Sequence, residues 1–578
     1  MKLRDLLLGP LKEHPRRAWG ALILLIFATG CDVLGPWLVQ FYIDHHLVPH
    51  YFPQQALVLL ALAYMTTQLA AAGGRYWQSV LFARVAADAI RDLRVRVFAH
   101  LLRLPQHRID ATPIGELTNR VTSDTDAMRD FYVGFLSSVL KSSVLLVGIF
   151  IAMTLIDVRL TLMSALLIPA GVVLIWIFQR LSNAAAMGVR QLRAQQSARL
   201  NEAIQGMPII QMFRQGPQFL ERFDRIGRQQ YRLRLNIVRF NALLLRSGVD
   251  LLSTLVLAGL IYGFGITQLG SEHQAIGIGV LYAFIAYLGR VSEPLMDICQ
   301  RFSLYQRASV AGQRLINVLE TPVARVGRDQ RPIEWPQLEL RELRFRHQGA
   351  ARDTLQGISA VIAPGTFVGI VGATGSGKST LLDVLCGLKP ISDGELLLDG
   401  RTLSGIAPAV LSDTIAVVPQ EPFLRSTTLR DNILLGLEVS DDALAEAVSA
   451  ARLDDVVATL PKGLDTPLGE RGLSLSSGER QLLALARALL RKPAILMLDE
   501  ATASIDSATE AELGKALDAL HGKVTLIVVA HRLATIAHAD HILVMENGVI
   551  AEEGRHEALL ERPEGRYRQL WQSAASDT

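Results

Sequence analysis

Long apolar runs dominate the chain before about residue 305, and short ones take over after it. Six of the long runs, at 18–43, 55–83, 131–156, 160–182, 241–268 and 275–300, could each form a helix that crosses a hydrocarbon layer of about 30 Å. The connecting segments 84–130 and 183–240 keep a helical spacing of apolar residues, interrupted only near Pro105, Pro113, Pro208 and Pro217. That spacing predicts helices that continue beyond the apolar layer and turn back at the prolines. A disordered loop would not explain the regular pattern through residues 200–213. Beyond a proline-rich linker at 321–337, short apolar strands alternate with helices, which predicts an α/β domain with a largely parallel core sheet over 338–578.

Charge orients the first part. Lys2, Arg4, Lys12, Arg16 and Arg17 precede the first run, residues 45–54 and 269–274 carry no Lys or Arg, and 84–130 and 183–240 are rich in arginine. Both termini and both long connections are therefore expected in the cytoplasm. Half of the 578 residues are hydrophobic, only 20% are charged, and mean hydropathy is +0.29. A net charge of +3 offers no case for a nucleic-acid partner. Cys31, Cys299 and Cys386 lie too far apart for a metal-ligand pattern and argue against a disulfide framework. The N-terminal apolar run outlasts a signal-peptide core and no small-residue cleavage site follows it, so it is not read as a cleavable leader.

Asp32, Lys141, Arg246, Asp250, Arg290, Glu293 and Asp297 fall inside expected spans, where charge is costly without a partner or a wet cavity. Arg246 and Asp250 are spaced for mutual pairing, and Arg290, Glu293, Asp297 and Arg301 share one helical face. Asp32 and Lys141 have no obvious local partner. They are the candidates for a central cavity, with Asp32 expected to favour cationic substrates.

The chemistry begins at Gly372-Ala373-Thr374-Gly375-Ser376-Gly377-Lys378-Ser379, between a strand-like run and a helix-like one that opens through Thr380. This is a phosphate loop: glycines let backbone N–H groups curl around phosphates, Lys378 supplies charge, and the Ser379 hydroxyl can ligate Mg²⁺. The apolar run 494–498 ends in Asp499 and Glu500, which places one carboxylate for the metal shell and the next for aligning a water. ATP and Mg²⁺ are the cofactors this implies.

With these motifs in place the chain resembles an ABC exporter half-transporter of the multidrug and lipid-flippase type, over nearly its whole length. It looks most like the subunits of bacterial heterodimeric multidrug exporters. Leu475-Ser476-Ser477-Gly478-Glu479 resembles the signature loop usually written LSGGQ, and Arg480-Gln481 continue it. The resemblance implies that this loop contacts ATP held by a second subunit. It also implies that Gln420 touches Mg²⁺ and the attacking water, that Glu500 and His531 act in hydrolysis, and that Asp506 lies in the D-loop after Ser504-Ile505. Gly469-Glu470-Arg471-Gly472 resembles the segment that exporters carry before the signature, and residues 115–126 and 205–213 resemble their coupling segments.

Three positions depart from the family pattern. His347 stands where an aromatic ring usually stacks on adenine, and Ser477 and Glu479 replace a glycine and a glutamine of the signature. Added bulk and negative charge there are expected to weaken the partner's site.

The expected fold is a six-helix transmembrane domain over 1–320, the linker, and an α/β phosphate-loop nucleotide-binding domain. The expected function is ATP-driven export or flipping of amphiphilic drugs or lipids across a bacterial inner membrane by alternating access. A second half-transporter completes the machine, with a heterodimer preferred to a homodimer. An exporter of peptide or siderophore, an ATP-gated channel and a regulatory subunit are the alternatives; the six spans exclude a soluble ABC-type ATPase.

Overall fold

The computed structural model describes residues 3–270, 277–323, 327–347, 350, 352–469, 475–499, 507–530 and 533–576. It divides into two compact units, residues 1–102 with 114–321, and residues 103–113 with 322–578.

Among the described residues of the first unit, five helical stretches are long and apolar enough to cross a membrane: Pro15–Leu47, Gln54–Leu101, Ile114–Ile156, Val158–Gln205 and Gly216–Gly265. The sixth expected span lies within the unbroken helix Ile278–Glu320, where Arg290, Glu293 and Asp297 dilute the apolar run, and it is not one of the five. The arginine-rich connections are helical, as their spacing predicts. The helix Gln54–Leu101 has 48 residues and, at 1.5 Å per residue, a length of about 70 Å, more than twice a hydrocarbon layer.

The prolines sit where the chain turns. Pro105 is the N-cap of the short helix Gln106–Asp110, and Pro208 and Pro217 occupy the first turns of Met207–Met212 and Gly216–Phe240. A missing N–H there breaks no helical bond. Small residues let the first two long helices approach closely, since a Cβ added at Gly74 would lie 2.9 Å from that of Ala28.

Asp32 does not lack partners. Its carboxylate lies 3.3 Å from Arg75 Nη1 and 3.4 Å from Arg290 Nη1, and Arg290 also donates to the Asp32 carbonyl at 3.1 Å. Sequence distance hid this, because the arginines lie 43 and 258 residues away. One acid between two guanidiniums leaves local positive charge, which removes the basis for expecting cationic substrates. Arg301 pairs with Asp297 at 2.6 Å, Lys141 is exposed without an ion pair among the described residues, and the Arg246 side chain lies outside them.

The second unit holds two sheets. The strands are β1 Leu338–Phe345, β2 Leu355–Ile362, β3 Phe367–Gly372, β4 Asp393–Leu398, β5 Arg401–Thr402, β6 Ile415–Val418, β7 Ile495–Asp499, β8 Thr525–Val529, β9 His541–Glu546 and β10 Val549–Gly554. The core sheet has the order β10-β9-β3-β8-β7-β6 and is parallel except for the β9–β10 hairpin. An antiparallel sheet β2-β1-β4-β5, which the sequence reading did not separate from it, forms the other layer.

Both faces of the core sheet are covered, as the uninterrupted apolar runs of its strands require. Phe367, Val371, Leu496 and Leu498 pack on one face with Leu482 and Leu485 of the helix Ser477–Leu489. Val368, Ile370, Ile495 and Met497 alternate to the other, against Leu381 and Leu385 of the helix Lys378–Leu385. The phosphate-loop helix and the signature helix therefore clamp the same strands from opposite sides.

Candidate nucleotide site

β3 delivers the chain into the loop 373–377, and the helix Lys378–Leu385 leads it away. Two glycines are demanded by geometry. Gly372 has φ +154° and its added Cβ would lie 2.2 Å from the Met545 carbonyl oxygen, while Gly377 turns at φ +102° where a side chain would be strained. Thr374 and Gly375 are exposed at the tip and Thr380 is half-buried. Lys378 is only 8% exposed, and its Nζ donates to the carbonyls of Gly372 and Ala373 at 2.8 and 3.1 Å. Ser376 is buried and, among the described residues, its Oγ has no hydrogen-bond partner. That orphaned hydroxyl within the loop fits a phosphate oxygen as ligand.

The Ser379 hydroxyl donates to Asp499 Oδ1 at 3.1 Å, so the two residues meet across 120 positions of sequence. A hydroxyl and a carboxylate at the mouth of a phosphate loop form the hard-oxygen pair that Mg²⁺ prefers. Gln420 follows β6 as an exposed residue. His347 is exposed and meets the buried ring of Phe345 edge-on, with centroids 4.9 Å apart. Glu500, Asp506 and His531 lie outside the described residues, as does most of the 469–472 segment.

The signature departures have a local explanation. Ser476 is the N-cap of the helix Ser477–Leu489; its Oγ accepts the Glu479 N–H at 3.2 Å, and the Glu479 carboxylate accepts the Ser476 N–H at 2.6 Å. This is a reciprocal capping box, and the negative charge stands at the favourable end of the helix dipole. Gly478 is buried in the first turn beside half-buried Ser477.

Sequence reading placed Gln481 only as a continuation of the signature and assigned no part to Arg487 or Asn432; the three tie this helix to the Gln420 segment. Gln481 Nε2 donates to the carbonyls of Gln420 and Pro419 at 2.6 and 3.2 Å. Arg487 donates to those of Asn432 and Phe423 at 2.8 and 3.1 Å. The usable signal was polar residues on a helix whose other residues are mostly apolar and buried.

Residues 19–295 match the family described as ABC transporter transmembrane region, and 355–503 the family described as ABC transporter. The chain is 35% identical to the multidrug resistance-like ATP-binding protein MdlB of Buchnera aphidicola subsp. Schizaphis graminum, covering 94% of this chain and 93% of that one. It is 29% identical to an ATP-dependent lipid A-core flippase of Syntrophus aciditrophicus, over 97% of this chain and 92% of that one. A solved structure of a bacterial Atm1-family ABC exporter with ATP bound superposes with a TM-score of 0.81 at 26% identity, covering 97% of this chain and 98% of that one.

Proposed function

The chain belongs to the ABC transporters, and from that premise we propose that it exports or flips amphiphilic compounds, drugs or lipids, across a bacterial inner membrane by alternating access. The observation that carries the reading is one polypeptide holding five long apolar helices and a phosphate loop whose Ser379 meets Asp499. ATP hydrolysis drives the cycle.

In this reading the loop N–H groups from Gly372 to Thr380 cradle the phosphates, and Lys378 exchanges its two carbonyl partners for β and γ oxygens. His347 lies against the adenine. Ser379, Asp499 and Gln420 would hold Mg²⁺, which would supply charge neutralisation for phosphoryl transfer. Glu500 accepts a proton from the attacking water, with His531 beside the γ-phosphate. The termini and the nucleotide unit lie in the cytoplasm, where arginine-rich connections belong.

Ser476, Ser477, Gly478 and Glu479, with Asp506, reach ATP held by a second half-transporter. The partner is a different chain rather than a copy, because Lys378, Asp499, Glu500 and His531 keep the family pattern while Ser477 and Glu479 depart from it. One composite site would then turn over and the other would be weakened.

Expressing this chain alone, reconstituting it in liposomes and measuring ATPase over a panel of amphiphiles tests both levels. Absence of stimulation by any amphiphile, even with a co-purifying partner, would overturn the exporter reading. A stable dimer with substrate-stimulated ATPase and no second polypeptide would overturn the heterodimer.

A further inference from the structure

The helix Ser477–Leu489 packs Leu482, Leu483, Leu485 and Leu489 into the core, yet it also buries an amide and a guanidinium. Gln481 is 3% exposed, and its Oε1 and the Nη2 of Arg487 are buried without hydrogen-bond partners among the described residues. Such burial costs stability that an apolar side chain of the same size would not. The amide therefore matters for its two donated bonds, to Pro419 and Gln420, and the guanidinium for its two, to Phe423 and Asn432.

Three of these carbonyls, those of Pro419, Gln420 and Phe423, belong to the irregular segment between β6 and the helix Leu429–Leu434, where no ladder fixes the backbone, and the fourth, that of Asn432, lies in that helix. The far anchor is itself braced. Asn432 is fully buried, donates to the Arg425 carbonyl at 3.0 Å and accepts the Arg425 N–H at 2.8 Å. The near anchor, Gln481, lies five residues from the N-cap Ser476, about 8 Å along the helix.

We propose that Gln481, with Arg487, locks the signature helix and the Gln420 segment into one moving body. Phosphate engaged at the helix N-terminus thereby repositions Gln420 at the phosphate loop of the same chain. Gln481 is a positioning residue: it links the site this chain lends to its partner with the site it holds itself. The inference rests on the paired arrangement proposed above.

Methionine matches glutamine in length and suits the apolar surroundings of Gln481, so Gln481→Met should fold. In liposomes, with any co-purifying partner, Gln481→Met is expected to keep its thermal midpoint and to hold its ATP KM within about twofold. Its kcat should fall roughly tenfold, as loss of two hydrogen bonds would give, and its cooperativity towards ATP should disappear. Gln481→Glu adds a readout that simple packing would not move. A buried carboxyl has a raised pKa, and its neutral form can donate one of the two bonds, so activity relative to wild type should rise as pH falls. Wild-type kcat and cooperativity in a folded Gln481→Met overturn the proposal. Should Gln481→Met not fold, a pH-independent Gln481→Glu ratio overturns it. Wild-type turnover in the same liposomes reports separately on the transporter reading.

Discussion

The Glu479 carboxylate holds the Ser476 N–H at 2.6 Å, and the Ser476 hydroxyl holds the Glu479 N–H at 3.2 Å, so each closes a donor that the first turn leaves open. Glu479→Gln preserves both bonds but loses the charge at the helix N-terminus, so it should cost a few tenths of a kcal/mol in denaturant unfolding, whereas Glu479→Ala should cost about 1 kcal/mol. At the phosphate loop, Lys378→Ala should abolish most nucleotide affinity in an equilibrium binding assay. Glu500→Gln should retain binding and lose roughly 10²–10⁴-fold in phosphate release; wild-type turnover would place the general base elsewhere. In the membrane unit, Asp32 and Arg290 form a pair that a double-mutant cycle can weigh. Asp32→Asn and Arg290→Gln should each lower the midpoint in detergent, and the double variant should lose less than their sum. Loop motifs were legible in sequence because their residues are contiguous. The Asp32 partners were not, because they come from helices the chain reaches only much later.

Elements were legible to the extent that their periodicity was undisturbed. The prolines marked turns, and the apolar spacing gave the helical extensions beyond the apolar layer. Residues 338–402 separated poorly because β1, β2 and β4 pair antiparallel in their own sheet, with irregular register at Leu340–Arg344. Between the first two long helices, Gly74→Leu should cost about 1–3 kcal/mol or more, because the Ala28 Cβ already lies within 2.9 Å of any added carbon. The entry to β3 is held by Asp540, whose Oδ2 accepts the Phe367 N–H at 2.9 Å and meets His521 Nε2 at 2.8 Å. Burial pulls this carboxyl upward, but the Phe367 and His521 hydrogen bonds outweigh it and hold it below the usual range. A depressed acid gives its stability fully above the unfolded pKa of about 3.9, and loses it as pH falls through the lower folded value. Thermal midpoints measured from pH 6 down to about pH 2 should therefore fall more steeply in wild type than in Asp540→Asn.

On the scale of the whole molecule, the chain leaves the first unit at residue 102, contributes residues 103–113 to the second, and returns at 114. The first family match runs unbroken from 19 to 295 and passes over this excursion without marking it. Proline spacing alone gave the turn at Pro105. A piece of the nucleotide unit is therefore synthesised long before the rest, and the ribosome releases it while most of the apolar helices are still unmade. The second unit is thus discontinuous in sequence. A fragment beginning at residue 322 lacks the eleven residues 103–113 that group with it. Supplying those residues as a separate peptide should raise the fragment's melting temperature, an effect that a scrambled peptide should not reproduce.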